Sequence, residues 1–224
     1  AAHTLVCATQ AIARHQPDLI VVLGDRYETF SVAQGAMMSQ LPIAHIHGGE
    51  LTTGAIDDSM RHAITKMSQL HFAATQSYKK RIIQLGEQPQ NVFNFGAPGL
   101  DNIDRLTLLS LSELSNTLNF DLTSHYFVVT FHPETLSPDG GVGTLQNLFK
   151  ALDGFAKHKL IITYPNADTC GRQFIEMCQQ YHQAQPGRVL LVKSLGQLRY
   201  LSSIKHCTAV IGNSSSGLIE APSF

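Results

Sequence analysis

The sequence predicts an α/β protein built on parallel sheets, and two patterns along the chain carry that prediction. Short apolar runs rich in Val, Ile and Phe recur through the 224 residues, each separated from the next by a loop and a segment of helical periodicity. This alternation is typical of parallel strands joined by crossover helices. Dense polar clusters also follow the apolar runs directly, at the strand ends where open α/β sheets bind ligands.

The chain is interpreted as two α/β domains joined by a linker. Residues 105–124 are rich in Leu and Ser, have weaker periodicity than their flanks and precede a fresh strand. We therefore expect one domain at residues 1–115 and a second at residues 116–224. The sequence also starts on a helical segment and stops just after another, where an α/β protein usually continues to a strand. We expect a polypeptide that is incomplete at both ends.

Charge and composition exclude two classes of function. Sixteen Lys and Arg against seventeen Asp and Glu give a formal net charge of -1. The chain therefore lacks the basic surface that nucleic-acid binding requires, although a few aimed donors suffice for a small anionic ligand. The sequence also contains no apolar run of about 20 residues, the length that spans a bilayer. We expect neither a nucleic acid nor a membrane as partner.

Cysteine spacing bears on metals and on the redox compartment. The four cysteines, Cys7, Cys170, Cys178 and Cys207, show no C-x-x-C spacing and fall in segments with helical periodicity. This arrangement argues against structural zinc and favours buried thiols in a reducing compartment. We expect a cytoplasmic protein that needs no metal and no cofactor.

Five polar clusters stand at the carboxyl ends of predicted strands. They are Asp25-Arg26, His47-Gly48-Gly49-Glu50, His132-Pro133-Glu134, Pro165-Asn166-Ala167-Asp168 and Asn213-Ser214-Ser215-Ser216-Gly217. Since carboxyl ends of parallel strands meet at one edge of a sheet, these clusters are the candidate ligand-binding loops. Three of the five lie beyond the linker, so both domains are expected to contribute to the site.

The serine-rich loop is the candidate anion site. Small and hydroxyl residues between a strand and a helix leave backbone N–H groups open to an anion, and the helix dipole adds to the attraction. Ser214, Ser215 and Ser216 can donate hydroxyls to a diphosphate, and Glu220 can accept from ribose hydroxyls. The alternative, a simple serine-capped helix, stays open.

Carboxylates and histidines near the first sheet are the candidate acid and base groups. Asp25, Glu50 and Asp57 all emerge near the same sheet edge, and Arg61 follows Asp57 by one helical turn. A capping carboxylate with an i,i+4 arginine is also a common structural arrangement, so that interpretation remains. Of eleven histidines, only His47 and His132 stand at strand ends among other polar groups, where imidazole can transfer protons near neutral pH.

Five segments together closely resemble the hydrolysing UDP-N-acetylglucosamine 2-epimerases of bacterial sialic acid synthesis. The segments are VVLGDRYETFSVA, IAHIHGGELTTGAIDDSMRHAITKMS, VVTFHPETLS, YPNADT and IGNSSSGLIEAPS, in matching order and spacing over almost the whole chain. The resemblance implies a GT-B type fold, with two Rossmann-like parallel-sheet domains facing a nucleotide-binding cleft. It also implies conversion of UDP-N-acetylglucosamine and water to N-acetylmannosamine and UDP, through a 2-acetamidoglucal intermediate.

Site roles follow from the same resemblance, position by position. Asp25, Asp57 and His132 match positions regarded as catalytic, and Arg61 matches the neighbouring arginine. The nucleotide contacts, by the same matching, are Asn166, Ser214, Ser215 and Glu220. The sequence departs from many relatives at His47, where they carry glutamate. Either His47 takes the acid/base role or Glu50, three residues on, supplies the carboxylate.

Alternative functions share the serine loop. They are a non-hydrolysing epimerase that keeps UDP attached, a hydrolysing epimerase of a diacetamido-trideoxy sugar nucleotide, a GT-B glycosyltransferase, and a non-catalytic UDP-sugar-binding module. The resemblance further implies a homo-oligomer, a dimer or a tetramer. We expect the 224-residue chain to be inactive by itself, because parts of the family's sugar and UDP contacts fall outside it.

Overall fold

A computed structural model describes residues 1–123, 125–166 and 171–224. The chain forms two compact units, a first unit at Ala1–Pro98 and a second unit at Gly99–Phe224. Ala167 and Asp168 of the predicted Pro165–Asp168 loop, as well as Cys170, lie outside the described residues. None of the helices described is both long and apolar enough to cross a membrane.

The first unit is a four-stranded parallel sheet with its strands in sequence order, β1-β2-β3-β4. The strands are β1 Ile20–Leu23, β2 Ile43–Ile46, β3 Leu70–Ala73 and β4 Val92–Asn94. The helices are α1 Ala2–His15, α2 Tyr27–Met38, α3 Asp57–Met67 and α4 Gln76–Gln84. The register places His45 on β2 beside His71 on β3. Because α2 and α3 connect adjacent parallel strands, the loops after β1 and β2 lie side by side.

The second unit is also a four-stranded parallel sheet, in the order β7-β6-β5-β8. The strands are β5 Tyr126–Thr130, β6 Lys159–Thr163, β7 Val189–Val192 and β8 Ala209–Gly212. The helices are α5 Asp101–Arg105, α6 Leu111–Leu118, α7 Val142–Asp153, α8 Gly171–Ala184, α9 Gly196–His206 and α10 Ser216–Ile219. Strand β5 pairs with the edge strand β8 at Thr130 and Gly212, which brings the His132 and Asn213 loops together.

Each unit has its own apolar core. All five residues of β5 are buried, because helices cover both faces of the second sheet. Leu145 and Phe174 pack with Val129 on one face, whereas Leu114 and Leu195 pack with Val128 on the other. A strand buried on both faces explains why its sequence is continuously apolar instead of alternating.

The apolar runs of the sequence predict eight strands, and all eight are present among the described residues, with ends shifted by one residue at most. The predicted strands are residues 19–23, 43–46, 71–74, 92–95, 126–130, 160–163, 189–192 and 209–211. The segment predicted as a linker, residues 105–124, is not irregular throughout, because helix α6 occupies Leu111–Leu118 within it. Ser110 and Glu113 form a reciprocal capping box at its start, and Leu114 is fully buried in the second unit. This packing assigns residues 99–115 to the second unit, so the division falls before the expected boundary at residue 115.

Two local expectations also need correction. Asp57 is the first residue of α3, and the N-cap position belongs to Ile56. Cys207 lies just beyond the end of α9, in extended conformation, whereas Cys7 and Cys178 lie within helices as expected. The correction at Asp57 matters for the site, because a residue inside the first turn directs its side chain differently from a capping residue.

Candidate active site

In the first unit, four of the predicted residues form one hydrogen-bonded cluster around Arg61. The Arg61 guanidinium donates to Asp25, and its Nη1 lies 3.4 Å from Glu50 Oε2. Its Nη1 also donates to the carbonyl of His47 at 2.7 Å. Arg61, on α3, therefore forms hydrogen bonds with both the loop after β1 and the loop after β2. We refer to Asp25, His47, Glu50 and Arg61 as the Arg61 cluster.

The cluster is largely withdrawn from solvent. Arg61 is 6% exposed and Glu50 is 9% exposed. Charges with so little exposure must be paired, and here one guanidinium faces two carboxylates. Thr52 adds a further contact, donating from Oγ1 to Asp25 Oδ2 at 3.1 Å. No sequence pattern singles out Thr52, because a threonine in a polar loop is common.

His47 and Glu50 are in direct contact. His47 Nδ1 lies 2.5 Å from Glu50 Oε1, so the two residues that the sequence left as alternatives are partners. Asp57 lies at the same edge of the sheet but has a different partner, since its Oδ1 is 3.6 Å from Nη1 of Arg26. The predicted carboxylates thus converge, with Asp25 and Glu50 on Arg61 and Asp57 beside Arg26.

Gly49 fixes the path of the loop that carries His47 and Glu50. It has a positive φ of 78°, and a Cβ placed there would lie 2.4 Å from the carbonyl oxygen of Tyr78 on α4. Arg81 on the same helix donates to the Gly49 carbonyl. The loop therefore packs directly on α4, which only glycine permits at this position.

His45, on β2, is fully buried. Its Nε2 donates to the Gly24 carbonyl at 2.9 Å, and its Nδ1 lies 3.2 Å from the Thr65 hydroxyl. Burial lowers the pKa of His45 from 6.5 to about 4, and the positive charge of Arg61 acts in the same direction. This neutral histidine contacts both the end of β1 and α3, and so connects the segments that carry Asp25 and Arg61.

In the second unit, Asn213 positions the backbone of His132. Asn213 Oδ1 accepts from the His132 backbone N–H at 2.7 Å, and its Nδ2 donates to the His132 carbonyl at 2.9 Å. The backbone N–H of Asn166 donates to His132 Nδ1 at 3.1 Å. Because Nδ1 accepts this hydrogen bond, the neutral ring carries its proton on Nε2. The positioning role of Asn213 was missed by the sequence reasoning, although its place at the end of β8 is a usable signal.

A cavity of about 420 Å³ opens at the carboxyl ends of the second sheet. Four predicted residues, His132, Asn166, Ser214 and Ser216, line it together with residues that were not predicted. Those additional lining residues include Thr130, Thr163, Lys193, Gln197 and Tyr200. A larger hollow of about 790 Å³ runs along α6, but none of the predicted site residues lines it.

Two threonine hydroxyls and a partly buried tyrosine line this cavity. Thr130 and Thr163 share a hydrogen bond of 2.7 Å between their hydroxyls. Burial raises the pKa of Tyr200 above its ordinary value of 10.0. Lys193 and Gln197 follow β7, the one strand of the second sheet for which no polar cluster was predicted, so polar residues follow all four strands of this sheet.

The serine loop leads into α10, which is only four residues long. Ser214 lines the cavity, whereas Ser215 is exposed. One carboxylate oxygen of Glu220 is buried without a hydrogen-bond partner among the described residues. A buried carboxylate oxygen without a donor is costly, and a ligand hydroxyl satisfies it. Within the described parts of the chain, no group of three His, Cys, Asp or Glu is placed to hold a metal ion.

A family model for UDP-N-acetylglucosamine 2-epimerase matches residues 1–224. The chain is 43% identical over 209 residues to the hydrolysing GDP/UDP-N,N'-diacetylbacillosamine 2-epimerase of Campylobacter jejuni, covering 93% of the chain and 54% of that protein. It is 46% identical over 207 residues to polysialic acid biosynthesis protein P7 of Escherichia coli, covering 92% of the chain and 52% of that protein. The chain thus spans about half the length of these curated relatives.

Solved structures give the same picture of the fold. S. aureus MnaA in complex with UDP matches with a TM-score of 0.76 at 20% identity, covering 99% of the chain and 59% of that structure. The Neisseria meningitidis 2-epimerase bound to UDP-GlcNAc matches with a TM-score of 0.76 at 16% identity, covering 95% and 59%. These similarities confirm the fold class, parallel-sheet α/β units of the GT-B type.

Proposed function

Because the chain belongs to the UDP-N-acetylglucosamine 2-epimerase family, we propose that the protein is a hydrolysing 2-epimerase of a UDP-linked 2-acetamido sugar. Such an enzyme releases UDP and inverts the configuration at C2. The observation that carries the proposal is the Arg61 cluster at the strand ends of the first unit. It offers an imidazole and two carboxylates where C2 deprotonation requires a base.

The first unit acts on the sugar in this proposal. Asp25, Asp57 and the His47–Glu50 pair are the groups that transfer protons at C2, and Arg61 holds Asp25 and Glu50 in place. The support is geometric, since Arg61 contacts Asp25, Glu50 and the His47 carbonyl. A preorganised set of this kind needs little rearrangement when charge develops on the substrate.

The second unit binds UDP in this proposal. The polar cavity beside Asn166 and Ser214 receives the nucleotide, with Ser215 donating to the diphosphate and Glu220 accepting from the ribose. His132 donates through Nε2 to the departing diphosphate, which is consistent with the tautomer that Asn166 selects. Departure of a diphosphate requires a proton donor or a positive partner, because two negative charges leave with it.

UDP-N-acetylglucosamine is the proposed substrate, and N-acetylmannosamine, a precursor of sialic acid, is the proposed product. A second candidate is UDP-N,N'-diacetylbacillosamine, because two curated relatives at 43% and 33% identity carry that activity in their names. The two substrates differ only at C4 and C6 of the sugar, away from the reacting carbons. We further propose a cytoplasmic homo-oligomer, a dimer or tetramer, which sedimentation velocity measures directly.

The deciding experiment incubates the full-length protein with each UDP-sugar in deuterated water and follows UDP and sugar by NMR. A hydrolysing 2-epimerase yields free UDP and a product deuterated at C2. UDP that stays attached to a C2-inverted sugar indicates the non-hydrolysing reaction, and transfer only to an added acceptor indicates a glycosyltransferase. Turnover of the diacetamido substrate alone assigns the second candidate.

A binding module is excluded by a matched pair of variants. Asp25→Asn removes a carboxylate at the proposed sugar end and is expected to abolish turnover while UDP affinity stays within about tenfold, or ~1.4 kcal/mol. The control, Asp18→Asn, changes an exposed aspartate just before β1 and is expected to leave turnover unchanged. A wild-type protein that binds UDP and never consumes either sugar nucleotide contradicts the proposed function.

A further inference from the structure

The His47–Glu50 loop holds His47 in an uncommon backbone conformation. His47 has a positive φ of 65°, a region that residues other than glycine rarely adopt and that is frequent at functional sites. Two hydrogen bonds stabilise it there, because His47 N–H donates to the Phe72 carbonyl at 3.0 Å and Arg61 donates to the His47 carbonyl at 2.7 Å. The backbone of His47 is therefore fixed on both sides by the sheet and by α3.

Glu50 is not well placed to take a proton from carbon. Its Oε1 contacts His47 Nδ1 at 2.5 Å, and its Oε2 contacts Arg61 Nη1 at 3.4 Å. Glu50 is only 9% exposed, so both carboxylate oxygens are engaged within the protein. A general base must reach the proton that it abstracts within hydrogen-bonding distance. In this geometry, the group that Glu50 serves is the imidazole beside it.

The contact with Glu50 selects the tautomer of His47. A carboxylate next to an arginine only accepts hydrogen bonds, so Nδ1 of His47 carries the proton. The other ring nitrogen, Nε2, then bears the lone pair. The charged and titratable groups that face His47 are Glu50 and Arg61, with Asp25 behind Arg61 and His45 on β2. His132 has the opposite arrangement, because its Nδ1 accepts from Asn166.

We propose that Nε2 of His47 is the base that removes the C2 proton, and that Glu50 and Arg61 are positioning residues for it. The inference rests on the proposed function. In the step, the C2–H electron pair forms the C1=C2 double bond, the C1–O bond breaks, and its electron pair leaves on the UDP oxygen. The products are the 2-acetamidoglucal, UDP and an imidazolium that Glu50 stabilises. Water then adds across the double bond, its oxygen to C1 and a proton to C2.

Two substitutions of His47 separate its base function from its structural role. Asn tolerates positive φ, and its amide donates to Glu50 from about the position of Nδ1, but it has no atom at Nε2. Glycine tolerates the same backbone and leaves a space for added imidazole. For the full-length protein, we expect His47→Asn and His47→Gly each to lower kcat by roughly 100- to 10,000-fold with little change in KM. Imidazole restores activity to His47→Gly only.

The positioning role of Glu50 has its own readouts. A Glu50→Gln side chain can present its amide N–H to Nδ1 and so favour the wrong tautomer, for which a loss of roughly 100- to 10,000-fold in kcat is expected. Nitrogen-15 NMR of the histidine ring is expected to show Nδ1–H in the wild type and Nε2–H in the variant. KM is expected to stay within about threefold, since Glu50 does not contact the sugar in this proposal.

Controls and contrary outcomes are distinct for the two proposals. His15→Asn and Glu176→Gln change exposed residues on α1 and α8 and are expected to leave kcat unchanged. Full activity of His47→Asn, or a His47 ring that carries Nε2–H in the wild type, overturns the assignment of the base while the proposed function stands. Absence of UDP release by the wild type, in contrast, overturns the proposed function itself.

Discussion

At the scale of single residues, the first unit contains buried histidines that are held by hydrogen bonds or ion pairs. His45 is fully buried between the Gly24 carbonyl and the Thr65 hydroxyl, and the same face of the sheet carries His71, whose Nε2 lies 3.2 Å from Glu87 Oε2. Burial lowers the pKa of both histidines. Each is therefore maintained neutral at a pH where an exposed histidine is partly protonated.

His45 makes the stability of the first unit dependent on pH. Its pKa falls from 6.5 to about 4 on folding, so below pH 6.5 the unfolded chain takes up a proton that the folded chain does not. Stability is complete above that pH and declines as the pH falls toward 4, by about 2 kcal/mol between pH 6.5 and pH 5 for this group. We expect urea unfolding of His45→Gln to lose about 2 kcal/mol less than wild type over that interval.

The glutamine in this variant is chosen because its amide can still donate to the Gly24 carbonyl. His15→Gln is the matched control, since His15 is exposed at the end of α1. Equal pH dependence in wild type and His45→Gln would show that His45 is not the group responsible.

At the scale of elements, the close approach of strands β5 and β8 brings together the loops that carry His132 and Asn213. Gly212, the last residue of β8, has a φ of 137°, and a Cβ placed there would lie 1.8 Å from the Thr130 carbonyl oxygen. No other residue fits without separating the strands. This junction directs Asn213 toward His132, so the glycine acts on the site through strand pairing.

Gly212→Ala tests this close approach. The added methyl group must displace the backbone of β5, so we expect a loss of about 3 kcal/mol in the free energy of unfolding of the second unit. UDP affinity is expected to fall as well, because His132 and Asn213 shift with the strands. Gly187→Ala is the control, since a Cβ there meets no atom within 4 Å. Unchanged stability of Gly212→Ala, measured by denaturant unfolding, contradicts the close approach.

At the scale of the whole molecule, the chain consists of two units with separate sheets and separate cores. Each unit presents polar loops at the carboxyl ends of its strands. Because the net charge is -1, the proposed binding of UDP requires a few placed donors and not a basic surface. Because the two units have separate sheets and cores, binding of a ligand to one unit is detectable as slower amide hydrogen exchange within that unit.

UDP is expected to protect the loops around the cavity in the second unit. At a concentration about 100 times its Kd, a ligand that binds only the folded state stabilises it by about 2.7 kcal/mol. We expect slower amide hydrogen exchange in the loops after β5, β7 and β8 when UDP is added. Ser214→Ala is expected to weaken the effect, whereas Ser112→Ala, on α6 and outside the cavity, is not. Protection confined to the first unit would contradict the assignment.

Much of the fold followed from the sequence, because the apolar runs of a parallel sheet are visible without coordinates. The apolar run Tyr126–Thr130 predicts a strand, and the structure has a strand there with all five residues buried. The helix α6 was missed because the Leu- and Ser-rich segment around it was interpreted as a linker, although Leu111, Leu114 and Leu118 have helical spacing and Ser110 and Glu113 form a capping box. The unit boundary shifted for the same reason, since no local pattern indicates that Leu114 packs beneath β5.

The sequence by itself determined the family, the parallel-sheet class and the polar loops at the strand ends, because these depend on periodicity and on motifs contiguous in the chain. Only the tertiary structure decided which side chains meet. The contacts of Arg61 with Asp25, of His47 with Glu50 and of Asn213 with His132 depend on strand order and on loop paths permitted by Gly49 and Gly212. Such contacts depend on distances in space, and a sequence pattern contains no information about those distances.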